Sequence, residues 1–335
     1  MFDNVNRKDK VILTVSSPAR MARSFVEFNQ LYVLPTVRHV KGWWSVGFVY
    51  YGLSKDSTVT LKDGSKVRFN KSNVTELISK LRHLDLSEET IRRFRIKIKG
   101  NRAVLYAGGR KLTVGIESLS SIVGEFLSES HKIMDVKGKD VVDIGAYVGE
   151  TTIYYATEGK AKNVYAYELF PHISRIAKAN VRMSGLSGRV KVFNEGIGGK
   201  PGSIMISRSE SSFGKLDAKH HKDKIRVRIL SLDQIVKMHK IKDGALKVDC
   251  EGYGYEIFRN ASSNAIRAFS VIHIEYHYGY SDLVKRLEKE GFKVKRTNPI
   301  MTIKGFSKPM LNGDIIAVRK GRSKEDEETS KQDKG

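Results

Sequence analysis

Two carboxylates 25 positions apart, Asp143 and Glu168, have the type and spacing to bind a nucleoside. Asp143 sits in the apolar run Val141-Val142-Asp143-Ile144. The turn Gly145-Ala146-Tyr147-Val148-Gly149 follows and leads into Glu150-Thr151-Thr152. The short β-branched run predicts a strand covered on both faces. Glycines at 145 and 149 let backbone come close to a ligand. A helix starting near Gly149 turns free N–H groups back over the strand ends. Residues 163–168 read as the next parallel strand, closed by Glu168. An acid in that position accepts hydrogen bonds from both hydroxyls of a ribose.

The loop is not the dinucleotide one. That fingerprint is G-x-G-x-x-G, with its second glycine making room for a pyrophosphate. Here the pattern is D-x-G-x-x-x-G, with the bulky Tyr147 inside it. A leading acid suits a cationic ligand end better than a phosphate. S-adenosylmethionine, with its ammonium and sulfonium, meets that requirement, and a nicotinamide cofactor does not. The third strand ends Phe193-Asn194-Glu195-Gly196, which places Asn194 and Glu195 beside the base of a bound nucleoside.

A second group of acids belongs to later strands. The fourth strand ends Val248-Asp249-Cys250-Glu251, and the fifth Ile274-Glu275-Tyr276-His277. Asp249, Glu251, Glu275 and His277 are therefore expected to converge across the mouth of one site, where clustered charge signals chemistry. His277 and Asp249 are the candidate bases, His277 preferred because histidine titrates near neutrality unaided. Asp249, Glu251 and Glu275 also offer the oxygens a hard divalent metal takes, although no metal is expected. Cys250 reads as a small buried residue. His220 and His221 fall in a charged loop, which suits a substrate or solvent role.

These residues need a scaffold of alternating strands and helices. Strands are predicted at 139–144, 163–168, 189–194, 245–250 and 269–276, and helices at 149–157, 171–183, 231–238, 253–260 and 281–290. Such alternation implies right-handed crossovers and an α/β, doubly wound, mainly parallel sheet. Segments 292–296 and 314–319 are predicted to pair antiparallel at one edge. The expected organisation is an N-terminal accessory region at 1–95, a β-rich lead-in at 96–134, the ligand-binding domain at 135–320 and a charged disordered tail at 321–335. Within the first region, Asp63-Gly64 marks a hairpin between residues 58 and 69, residues 74–84 suggest a helix, and residues 43–53 are rich in aromatics.

The chain has 335 residues, 60 Lys and Arg against 37 Asp and Glu, and a net charge of +23. The excess is spread along the sequence and predicts attraction to an anionic partner without naming one. The single cysteine, Cys250, rules out an intrachain disulfide. Together with the lack of a secretory leader or long apolar run, it predicts a cytoplasmic protein.

Taken together, these motifs resemble the FkbM family of S-adenosylmethionine-dependent methyltransferases, of the seven-stranded class I type. The resemblance spans about Asp135 to Lys320. It rests on residues 143–151, on Tyr167-Glu168 through Pro171, on Leu232-Asp233, on residues 247–256 and on Ile274 to His277. The family usually has Asn where this chain has Tyr147, and Ala or similar near Gly196. The resemblance implies that Asp143, Gly145 and Gly149 hold the methionine part of the cofactor, with Ala146 and Tyr147 in the same loop. It implies Glu168 on the ribose, and Asp249 and Glu251 near the transferred methyl. The implied reaction is O-methylation of a sugar, glycan or small metabolite. The rival readings are an RNA methyltransferase that uses the basic surface and the N-terminal region, and an inactive nucleotide-binding or interaction protein.

Overall fold

The computed structural model describes residues 40–41, 45, 48–49, 54–61, 66–70, 86, 88–128, 134–207, 224–302 and 310–319. They fall into two compact units divided between Gly124 and Glu125. The aromatic stretch around Trp43 largely lies outside the described residues. So do the helix expected at 74–84, the hairpin turn at Asp63-Gly64, His220, His221 and the tail.

The N-terminal unit contains two small antiparallel sheets. The first joins β1 (Val40–Lys41), β2 (Asp56–Leu61) and β3 (Lys66–Asn70), with β2 and β3 paired as the hairpin signal requires. The second joins β4 (Lys97–Lys99), β5 (Arg102–Ala107) and β6 (Arg110–Gly115). In β5, Ala103, Leu105 and Ala107 point inward while their neighbours face outward, the period-two pattern of a half-buried strand. Helix α1 (Glu88–Arg93) precedes this sheet, and α2 (Leu119–Leu127) follows it. β4 to β6, within the span expected as a β-rich lead-in, belong to the N-terminal unit.

The second unit is built on a sheet in the order β15-β17-β14-β13-β7-β8-β9. Its strands are β7 (Asp140–Ile144), β8 (Asn163–Tyr167), β9 (Val190–Phe193), β13 (Gly244–Val248), β14 (Phe269–Tyr276), β15 (Phe292–Arg296) and β17 (Met310–Arg319). β16 (Ile300–Thr302) pairs with the start of β17. The five strands from β14 to β9 are parallel, and β17 is antiparallel to both β14 and β15. This is the doubly wound, seven-stranded class I arrangement. The expected antiparallel pair of β15 and β17 is present at one edge of the sheet, with β15 outermost. β17 inserts between β14 and β15, so that Ile315 and Ala317 are fully buried.

Burial follows sheet position. Every residue of β13 is buried, and so are four of the five in β7, as strands covered on both faces must be. The edge strand β15 instead exposes Lys293, Lys295 and Arg296 to differing degrees, and such charges block pairing with other chains. The helices are α3 (Glu150–Ala156), α4 (Pro171–Met183), α5 (Leu232–His239), α6 (Gly254–Asn260), α7 (Ser263–Arg267) and α8 (Ser281–Lys289). α4 starts with Pro171 at its first turn and buries Ile173, Ala177 and Val181, one stripe at four-residue spacing. α5 is closed by a reciprocal capping box between Ser231 and Gln234. A small separate sheet, β10 (Gly196–Ile197), β12 (Lys224–Leu230) and β11 (Gly202–Ser207), follows β9 and has no counterpart in the sequence reading.

From β7 the chain winds outward through β8 to β9, then returns to the other side of β7 as β13. Crossovers leave in opposite directions at that point, which opens a crevice at the carboxyl ends of the strands.

Candidate active site

The crevice is a cleft of about 910 Å³. It is lined by Ile144 and Gly145 from the end of β7, by Tyr167 and Glu168 from β8, by Glu195 to Lys200 after β9, and by Asp249, Cys250 and Glu251 after β13. Tyr147, Glu150, Tyr253, Glu256 and Arg259 complete much of its wall.

Asp143 does not line it. The side chain is 0% exposed and lies beneath the loop. One carboxylate oxygen accepts from the hydroxyls of Thr151 and Thr152, at 2.7 and 2.6 Å. The other faces the Lys247 ammonium at 3.5 Å. Lys247 in turn donates to the Gly145 carbonyl at 2.9 Å and lies 3.6 Å from Asp249. Burial opposes charge on Lys247, but Asp143, Asp249, Glu150 and Glu275 outweigh it and hold its pKa above the ordinary lysine value. Asp143 therefore pins the first turn of α3 and faces the buried Lys247, with its side chain off the cleft lining. The sequence gives no sign of this role for Lys247, because a lysine in a strand does not reveal which carboxylate it meets.

The loop itself is held by its neighbours. The N–H groups of Gly145 and Ala146 both donate to the Tyr167 carbonyl. A Cβ at Gly145 would stand 1.7 Å from the Asp249 carbonyl oxygen, so no other residue fits. Ala146 is buried, Gly149 (φ 90°) precedes α3, and Tyr147 adopts φ 45° and stays 46% exposed over the cleft. Positive φ at a tyrosine is strain that the surrounding bonds must hold.

Glu168 supplies one of those bonds. Its carboxylate accepts from the N–H of Tyr147 at 2.9 Å and from that of Phe170 at 2.8 Å. Burial pushes its pKa up to about 7 against the pull of those two N–H groups and Lys247. Asn194 donates to the carbonyls of Glu168 and Leu169 at 3.0 and 2.8 Å, so its amide nitrogen braces this strand end and its side chain does not line the cleft. Glu195 does line it, paired through one oxygen with Arg228, while its second oxygen is buried without a hydrogen-bond partner among the described residues.

Glu150 is the residue that the sequence reading passed over. It lines the cleft, and its Oε2 is buried with no hydrogen-bond partner among the described residues. Burial pushes its pKa up to about 8, with Asp143 and Glu125 adding to the rise, its own backbone N–H and Lys247 opposing it. In sequence it looked like an ordinary first-turn acid. Cys250 packs against the core with one edge on the cleft, and burial pushes its thiol up to about 12.

The second set of acids gathers where β13 and β14 finish. One ligand-capable atom from each of Asp249, Glu275 and His277 lies within 4.8 Å of the others. His277 Nε2 stands 3.6 Å from Glu251 and 3.8 Å from Glu275. Burial raises the Glu275 pKa to about 7, with the Asp249 and Asp314 charges adding to it. Asp249 belongs to both cleft and cluster, Glu251 lines the cleft beside His277, and Glu275 and His277 belong to the cluster alone. Tyr255 of α6 fixes the loop after β14, donating to the Gly279 carbonyl and accepting from the Tyr278 N–H at 2.9 Å.

Residues 143–294 match the family described as the methyltransferase FkbM domain. That stretch of the chain is similar to an FkbM methyltransferase domain. No curated protein sequence matches the chain significantly. Among solved structures, it is similar to a tRNA m1G37 methyltransferase of M. jannaschii, at 16% identity over 66% of this chain and 55% of that one, with a TM-score of 0.37. It is also similar to TrmK of M. capricolum, solved with S-adenosyl-homocysteine (15% identity, 56% of this chain and 65% of that one, TM-score 0.38). A third is TYW2 of P. horikoshii, solved with MeSAdo (14% identity, 67% and 74%, TM-score 0.36). The FkbM match begins at Asp143 and ends within β15, so it takes in the whole cleft and the cluster beside it. No helix among the described residues is long and apolar enough to cross a membrane.

Proposed function

We propose that this chain is an S-adenosylmethionine-dependent methyltransferase acting on a hydroxyl of a sugar, glycan or small metabolite. The observation that carries the reading is the acidic lining of the cleft at the β7–β13 switch, where Glu150, Glu168 and Glu195 stand together. A phosphate-bearing cofactor would meet three carboxylates there, whereas a cationic nucleoside is matched by them. Two of these acids hold buried oxygens without hydrogen-bond partners among the described residues, Glu150 Oε2 and Glu195 Oε2, which are groups a ligand donor can satisfy.

When bound, S-adenosylmethionine supplies a methyl group made electrophilic by its sulfonium. Glu150 pairs with the ammonium of its amino-acid tail. Glu168 accepts from the ribose hydroxyls, and Glu195 from the adenine amino group. Gly145, Ala146, Tyr147 and Gly149 shape the backbone around it, while Asp143 and Lys247 keep that backbone in place. A hydroxyl is a poor nucleophile at neutral pH and needs its proton removed. Asp249, Glu251, Glu275 and His277 provide the proton acceptors on the side of the cleft facing β14.

Calorimetry with S-adenosylmethionine and S-adenosylhomocysteine tests the cofactor. Saturable binding of both is expected, and no binding at millimolar concentration overturns the reading. Asp249→Asn is expected to keep cofactor affinity within about threefold while turnover falls at least ~100-fold, the lower range for losing a general base. Incubation of cell extract with isotopically labelled methyl donor identifies the acceptor. Label in a small molecule or glycan is expected, and label confined to RNA overturns that part of the proposal.

A further inference from the structure

We propose that Asp249, Glu275 and His277 form a binding site for a hard divalent cation of the Mg²⁺ or Mn²⁺ type. The proposal rests on the methyltransferase reading only for what the cation does, not for its binding.

Three observations carry it. First, one atom from each side chain lies within 4.8 Å of the other two, a spacing that a single ion can bridge. Second, the His277 side chain is 5% exposed, and no hydrogen bond reaches its ring among the described residues. Nδ1 has no partner, and Nε2 faces Glu251 and Glu275 at 3.6 and 3.8 Å, beyond hydrogen-bond length. A buried imidazole turned toward carboxylates without bonding them is poised for a third party between them. Third, acids outnumber cations here: Asp249, Glu251 and Glu275 gather at this strand end, Asp314 beside them is bonded to His273 at 3.0 Å, and the buried Lys247 is already shared with Asp143.

The fold explains why these residues meet. β13 and β14 are parallel neighbours in register from Ala245 and Val271 onward, so the residue just past β13 and the last turns of β14 emerge side by side. Tyr255 then fixes the following loop through Gly279 and Tyr278. This donor set differs from the one suggested by residue type alone. The imidazole of His277 takes the place of Glu251, whose side chain is 53% exposed at the rim. Two carboxylates and one imidazole leave coordination positions open to oxygens of the acceptor. A cation there acidifies a coordinated hydroxyl: its O–H bond breaks, the electron pair stays on oxygen, and the proton passes to Glu251 at the rim.

Mn²⁺ binding to the full chain without cofactor, followed by electron paramagnetic resonance, tests the site. One bound Mn²⁺ per chain is expected, with nitrogen hyperfine modulation from the His277 ring in the wild-type complex. Asp249→Asn and His277→Gln are expected to weaken binding at least ~10-fold, and His277→Gln to abolish the modulation. Glu195→Gln, at another part of the cleft, is expected to bind Mn²⁺ as wild type does. No saturable Mn²⁺ binding, or binding without nitrogen modulation, overturns the proposal without relying on any variant's folding. Cofactor calorimetry is read separately: Mn²⁺ bound as expected with no S-adenosylmethionine binding sinks the methyltransferase reading and leaves the cation site standing.

Discussion

Glu150 and Asp143 divide between them a role that one acid seemed sufficient to fill. Asp143 is tied to Thr151 and Thr152 through one oxygen and faces Lys247 through the other, away from the cleft lining, whereas Glu150 lines the cleft. Glu150→Gln is accordingly expected to weaken S-adenosylmethionine binding ~10- to 100-fold, the worth of one charge-assisted hydrogen bond. Binding of methylthioadenosine, which lacks the amino-acid tail, should change little. Equal losses for the two ligands would remove Glu150 from the ammonium. Its raised pKa adds a second readout. At pH 7 the free protein holds Glu150 mostly protonated, and a bound ammonium favours the ionised form, so binding expels a proton. Calorimetry in buffers of different ionisation enthalpy should show that release, and Glu150→Gln should diminish it. Asp143→Ala has a different expected phenotype. It strands the buried Lys247 charge and is expected to cost about 3–5 kcal/mol of stability in chemical denaturation. A variant as stable as wild type would return Asp143 to a purely ligand-binding role.

At the scale of elements, the sheet was largely legible because its strands are short, apolar and separated by amphipathic helices. The carboxyl ends of β7, β8, β13 and β14 could be placed from sequence, and with them Glu168, Asp249, Glu251, Glu275 and His277. What was not legible is direction. Asn194 and Glu195 are adjacent at one strand end, yet one braces the backbone and the other lines the cleft. A reading by position cannot separate them, because alternation in a strand stops where the strand does. The antiparallel pair at the edge was placed, but which of its two strands lies outermost was likewise hidden. Elements also coordinate the two halves of the site. The Gly145 turn and the Asp249 turn touch backbone to backbone, so Gly145→Ala must push the two apart. Loss of cofactor binding together with a lower melting temperature is expected. Tyr255→Phe breaks only the bonds to the loop after β14. It should leave cofactor affinity intact and lower turnover, and a fall in cofactor affinity would show that the two strand ends are not independent.

For the molecule as a whole, the cleft sets a stability cost that depends on pH. Glu150, Glu168 and Glu275 have folded-state pKa values of about 8, 7 and 7, all above the ordinary carboxylate range. Between the unfolded and folded values the native state binds more protons than the unfolded chain, so stability falls as pH rises. The favourable contribution is fully present below about pH 4.5 and is lost as pH climbs through 7 to 8. The loss is spread over that window, Glu168 and Glu275 losing theirs first and Glu150 last. Other carboxylates, such as Asp243 with Lys139, are held below their ordinary value and push the opposite way at lower pH. The net expectation is a melting temperature that declines from about pH 5.5 to pH 8 without ligand. A cationic ligand reverses the cost, because it binds the ionised carboxylates that the empty cleft disfavours. The gain in melting temperature from saturating S-adenosylmethionine should therefore grow over the same interval, beyond the roughly 2.7 kcal/mol expected at a hundredfold excess over Kd. Scanning calorimetry at four pH values with and without ligand measures both curves. A ligand gain that stays flat with pH would separate these acids from the bound cation, even if the cofactor itself binds.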